Sequence, residues 1–153
     1  MESKLKLNIV DRAEVRREID ELTNQTSQVD LSKWAISIAQ HAYLALTNDF
    51  PYKAKLESEI NVNKQWQQGR ATVHQVRQAG FSVHKIAREC EDETTKAVIR
   101  AIGQAISTGH MKAHALIASD YAIKAVGLYS NDNLHLITEE RTWQLAELKK
   151  IHN

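Results

Sequence analysis

Residues 92–128 read DETTKAVIRAIGQAISTGHMKAHALIASDYAIKAVGL, and two helices with one break between them account for the whole pattern. Over 92–108, Val98, Ala101, Ile102, Ala105 and Ile106 gather on one side of a helical wheel, and Arg100, Gln104 and Ser107 gather on the other. This is a helix with one buried face, and Gly109 ends it. Over 111–128, Leu116, Ile117, Ala118, Ala122, Ile123, Ala125 and Val126 leave only a narrow polar sector near Lys112 and Ser119. A helix apolar nearly all round is normally enclosed by others, and its alanines allow close approach. The hairpin 92–128 is therefore expected at the centre of the core, with His110, His114 and Tyr121 as its polar members.

Outward from this hairpin, helical periodicity predicts five more helices. The first, over 9–23, sets Ile9, Ala13, Ile19 and Leu22 on one face among many charges. The second covers 31–47, with Asp30 as N-cap. The third begins near Pro51, which suits a first turn, and ends at Gly69. The fourth covers 72–91 and opens on Thr72-Val73-His74-Gln75, a capping-box pattern. A polar loop over 129–136, around Asn131-Asp132-Asn133, precedes the seventh helix. That helix starts near Thr138, with Glu139 and Glu140 at the positive end of its dipole and Lys149 and Lys150 at the other. One proline and five glycines in 153 residues suit such helices. Short connections imply antiparallel neighbours. The expected fold is all-α: a single-domain compact bundle of about seven helices spanning residues 1–153, with no repeat and no dividing linker.

The formal net charge is +1, so the basic excess typical of nucleic-acid binders is missing. By region, residues 1–30 carry five basic and seven acidic side chains, 31–91 carry eight and five, and 92–153 carry seven of each. A mild basic bias thus sits in the middle of the chain. The single cysteine, Cys90, excludes an internal disulfide and fits a reducing compartment. Residues 1–10 lack the apolar stretch of a signal peptide, and no apolar run is long enough to span a membrane. The expected location is the cytoplasm.

Two groups of residues could carry chemistry. His110 and His114 stand four apart, with Tyr121 seven further on, so one helical face would hold all three. Histidines at that spacing can bind zinc, but the site needs a third ligand. The run His110-Met111-Lys112-Ala113-His114 lacks the glutamate of a metalloprotease helix, so structural hydrogen bonding is the preferred reading and no cofactor is expected. The second group lies on the fourth helix, where His74, Arg77, Phe81, His84 and Arg88 form one stripe opposite Val76, Ala79, Val83, Ile86 and Cys90. Such a stripe is either a solvated face or, because arginine and aromatics are enriched at interfaces, a partner contact. Trp34, Trp66 and Trp143 read as packing residues, and Cys90 as an inert buried thiol. No Gly-rich phosphate loop, Cys-x-x-Cys pair or nucleophile elbow occurs, and no enzymatic activity is expected.

Several of these segments together resemble a known family. Arg100-Ala101-Ile102-Gly103-Gln104-Ala105, then Thr108-Gly109-His110-Met111 and His114-Ala115-Leu116, are similar to immunity proteins of bacterial polymorphic toxin systems, in the all-helical class numbered five. Trp34-Ala35 with His41, Trp66 with Gly69 and Arg70, His84 with Ala87-Arg88-Glu89, and Asp120-Tyr121-Ala122-Ile123-Lys124-Ala125 agree. The resemblance covers about residues 31–128, and Gln104 and Ile106 are bulkier than the small residues associated with that helix. It implies a small protein that binds and neutralises a cognate protein toxin without catalysis. The near-neutral charge argues against mimicry of nucleic acid. The alternative is a metal-dependent or small-molecule-binding helical protein using His110 and His114. A membrane or nucleic-acid partner is not expected, and a homo-oligomer is left open.

Overall fold

The computed structural model describes residue 5 and residues 7–152. Residues 1–4 and 6, part of the stretch read for a signal peptide, lie outside the described residues. Those described form seven α-helices and no strand: α1 (Ala13–Thr23), α2 (Gln28–Leu46), α3 (Lys53–Gln67), α4 (Val73–Glu89), α5 (Glu93–Ser107), α6 (His114–Ser130) and α7 (Leu134–His152). The architecture is the all-α single domain expected.

The hairpin of α5 and α6 is central, and α2 lies across both helices. On one flank α3 packs on α4, which packs on α5; on the other, α1 packs on α7, which packs on α6 and α2. Trp34, Ile38, Ile99, Ile102, Ile106 and Ile123 are fully buried between these layers. The order of enclosure differs from expectation. α5 touches α2, α3, α4 and α6 and is no half-exposed helix. Ser107, on its polar side, is buried and donates its hydroxyl to the Gly103 carbonyl at 2.8 Å. Two glycines permit this enclosure. A Cβ on Gly80 would meet the Ser107 hydroxyl, and one on Gly103 would stand 2.6 Å from Cε1 of His84. α4 and α5 therefore approach more closely than side chains at those positions would allow.

Several helix ends move from their predicted places, each for a local reason. α1 starts at Ala13 and not at residue 9; Asp11, just before it, binds Arg141 of α7 instead of joining a helical turn. α2 begins at Gln28 because Ser27, not Asp30, is the N-cap: its hydroxyl accepts the Asp30 N–H at 3.1 Å. Asp30 sits inside the first turn, where its charge suits the dipole. Pro51 belongs to the turn before α3, whose first helical residue is Lys53. The predicted loop over 129–136 is far shorter. α6 runs to Ser130, Asn131 and Asp132 both take left-handed backbone with φ of 54° and 59°, and α7 starts at Leu134. The side-chain oxygen of Asn133 accepts the Leu136 N–H at 3.1 Å, which supports that early start. The Thr72–Gln75 capping box and the left-handed Gly69, with φ of 75°, stand as read.

Candidate functional site

The capping box at Thr72 sets the rotation of α4, and Val76, Ala79, Val83, Ile86 and Ala87 bury its apolar face. The opposite stripe is thereby turned to solvent. His74, Arg77, Phe81 and Arg88 are exposed, and the Phe81 side chain is 53% accessible. The Arg77 guanidinium carbon lies over the Phe81 ring, 5.6 Å from its centre, a cation–π contact. His84 parts from the stripe. Its ring turns towards α5 and fills the space left by Gly103. Its Nδ1 is buried and makes no hydrogen bond among the described residues. Burial lowers its pKa from 6.5 to about 4, helped by the positive charges of Arg100, His114 and Arg88. His84 is therefore a neutral packing group near pH 7.

The histidine pair is arranged differently from its prediction. α6 begins at His114, and His110 lies in the turn that precedes it. The Ser107 carbonyl accepts the N–H groups of both His110 and Met111 at 2.9 Å, which closes the turn after α5. The two histidines are thus not successive turns of one helix. Their rings are 5.8 Å apart between centroids and tilted by 30°, and His114 Nδ1 bonds the Gln104 side-chain oxygen at 2.6 Å. Among the described residues no three His, Cys, Asp or Glu side chains are placed to hold one metal ion. Tyr121 is half-buried and packs on the core from the same helix as His114. The structure therefore brings His84, Gln104, His110 and His114 together where α4, α5 and α6 meet. None of the three histidines nor Tyr121 is fully buried, so these are not the polar members of the core.

Those members are a set of ionic groups whose assembly was not foreseen. Arg141 of α7 is completely buried, with Nε and Nη2 each 2.8 Å from an Asp11 oxygen and Nη2 also 2.7 Å from Asp120 Oδ1. Its Nη1 donates to Ser119 and to Gln144, at 3.2 and 3.0 Å. Arg16 of α1 grips the same Asp120 through Nε and Nη2, at 2.9 and 3.0 Å. The Trp34 indole donates to the Gln144 carbonyl at 2.9 Å, tying in α2. The signal in the sequence was Ser119-Asp120 inside a mostly apolar helix. The polar sector it makes faces α1 and α7 and not water. Above the Arg16–Asp120 pair opens a cleft of about 440 Å³, walled by Leu7, Leu31, Leu116 and Ile117.

The three tryptophans pack as expected. Trp34 is fully buried, Trp66 is partly buried on the core, and Trp143 stacks on His41 with centroids 3.9 Å apart. Cys90 is partly buried, donates to the Ile86 carbonyl at 3.4 Å, and has its pKa raised by burial, so it is a poor nucleophile. No helix is long and apolar enough to cross a membrane among the described residues.

The chain matches the family described as Imm-5 like putative immunity protein over residues 21–151. That span holds α2 to α6 entire and all but the end of α7. No curated protein and no solved structure matches the chain.

Proposed function

Because the chain belongs to the Imm-5 like putative immunity protein family, we propose that it neutralises a cognate bacterial toxin by binding it, one molecule to one. The family match over residues 21–151 carries this reading. The physical requirements of such an inhibitor are a stiff scaffold and an exposed patch holding aromatic and arginine anchors. The buried Asp11–Arg141–Asp120–Arg16 set ties α1, α6 and α7 together and supplies stiffness. The Arg77–Phe81 pair on α4 supplies anchors. In this mechanism the chain does no chemistry; it covers the toxin's working surface or holds the toxin in an inactive arrangement. The histidines act as packing and hydrogen-bonding groups behind the α4 stripe.

The test is co-expression with the toxin domain encoded by the adjoining gene. Growth is rescued only in cells that make this chain, and the two proteins co-purify as a 1:1 complex by light scattering. Failure of both rescue and co-purification would refute the reading.

A further inference from the structure

With the fold known, the positions of the acidic residues acquire a meaning. Residues 60–88 contain no Asp or Glu, and neither do residues 94–119. These two runs hold eight of the 20 Lys and Arg residues and none of the 19 acidic ones. The structure lays one run against the other, since α4 packs along α5. Gly109 meets Val76, Gly80 meets Ser107 and Gly103 meets His84, an antiparallel register that sets residues 76–84 against 103–109. Apart from Lys96, which pairs with Glu93 at 3.7 Å, the cations of these runs have no carboxylate partner among the described residues, so a weakly charged molecule carries one basic face.

The details on that face agree. Arg77, Lys85 and Arg88 are exposed on α4 and Arg100 is half-exposed on α5. None of the four makes an ion pair among the described residues, whereas Arg12, Arg16, Lys55, Arg141 and Lys150 elsewhere each have a carboxylate partner. The nearest carboxylates along the chain are Glu89, the last residue of α4, Glu91 and Asp92 in the turn, and Glu93, the first residue of α5, which pairs with Lys96; Asp92 is engaged in capping α5 through Thr95. The charged groups acting on His84 are Arg100, His114 and Arg88, all of one sign. In the midst of these cations Phe81 stands 53% exposed beneath Arg77, and Met111, in the turn at the far end of α5, is 52% exposed.

From this juxtaposition we infer that the face of α4, α5 and the turn before α6 is the surface the toxin covers, and that the toxin meets it with an acidic surface containing an apolar cup for Phe81. The inference rests on the reading of the chain as a toxin inhibitor and assigns the face and the partner's chemistry. Unpaired arginines draw an acidic partner and set the speed of encounter, while a desolvated aromatic at the centre of the patch holds it. A protein partner is favoured over nucleic acid because the molecule as a whole has a net charge of only +1.

The experiment measures binding of the adjoining gene's toxin domain by surface plasmon resonance, with rescue of growth scored in parallel. Phe81→Ala is expected to weaken binding by about 30-fold or more. The double variant Arg77→Glu/Arg88→Glu is expected to weaken it by about 100-fold, chiefly through slower association, and to remove its salt dependence. Exposed acidic positions on α1, changed in Glu18→Lys/Glu21→Lys, serve as the control and stay within about threefold of the parent, the scale of a rim contact. All these side chains are exposed, and circular dichroism checks that each variant is folded. If the parent binds and rescues but Phe81→Ala and the double variant bind as well as it does, the assigned face is wrong while the toxin reading stands. If the parent neither binds nor rescues, the toxin reading falls and takes this inference with it. If the parent instead binds a short DNA duplex at about 0.15 M salt and the double variant loses that binding, the face serves nucleic acid and the inference is overturned.

Discussion

Replacing Arg141 with methionine tests whether the buried ionic set holds the bundle together. The change keeps most of the side-chain volume but deletes five hydrogen bonds, two of them to Asp11 and one to Asp120. Asp120 retains Arg16, while Asp11, among the described residues, keeps the N–H of Arg12 at 2.8 Å and the nearby charge of Arg16. Removing one member of a buried ion pair costs about 3–5 kcal/mol, because the remaining charge stays desolvated. Against a total stability of about 5–15 kcal/mol for a domain, this is a large fraction. With a urea dependence of about 2 kcal/mol per molar, the unfolding midpoint should fall by about 1.5–2.5 M. The assay is urea denaturation followed by far-ultraviolet circular dichroism, for the parent, Arg141→Met, Asp11→Ala and the double variant. The double variant should lose at least about 1 kcal/mol less than the two single losses added together, since both delete the same bonds. A midpoint shift below about 0.5 M for Arg141→Met, equivalent to less than about 1 kcal/mol, would refute the reasoning.

Other outcomes follow from single contacts. Gly103→Ala should destabilise the protein by about 1–3 kcal/mol, because the new methyl would stand 2.6 Å from the His84 ring; His84→Ala in the same chain should recover part of that loss in the same urea titration. The pKa of His84 falls to about 4 in the folded state from 6.5, so the unfolded chain binds the extra proton between these values and stability declines as pH drops from 6.5 towards 4. The full shift corresponds to about 3 kcal/mol, reduced to about 2 by the partial exposure of the ring; His84→Gln should flatten that part of the pH profile, and an unchanged slope would contradict the assignment. Thr72→Ala removes the capping bond to the Gln75 N–H and should lower the thermal midpoint by an amount equivalent to about 1 kcal/mol.

The features readable in advance were those that depend on a few neighbouring residues. The Thr72–Gln75 box and Gly69 at the end of α3 behave as their local chemistry requires. The apolar wheels of 92–108 and 111–128 placed the central hairpin, because burial is written in helical periodicity. The exposure of Phe81 and Arg77 followed from the same periodicity. Local reading failed where two conformations suit the same residues. Asn131-Asp132-Asn133 reads equally well as a long polar loop or as a tight reversal, and two left-handed residues chose the second. His110 and His114 have helical spacing, but the N–H groups of His114 and Ala115 bond carbonyls three residues back, at Met111 and Lys112, so residues 110–113 form turns and α6 begins at His114.

Helicity, the rough places of all seven described helices, the central hairpin and the face of α4 that meets water were legible in side-chain order alone. These follow from side-chain pattern and capping, whose range is a few residues. Tertiary packing made Asp120 a buried ion gripped by Arg16 and Arg141 from helices 104 and 21 residues away. It alone turned His84 inward onto Gly103 and joined two acid-free segments into one positive face. Electrostatic and packing partners are chosen by distance in space, and sequence periodicity carries no record of which helices become neighbours.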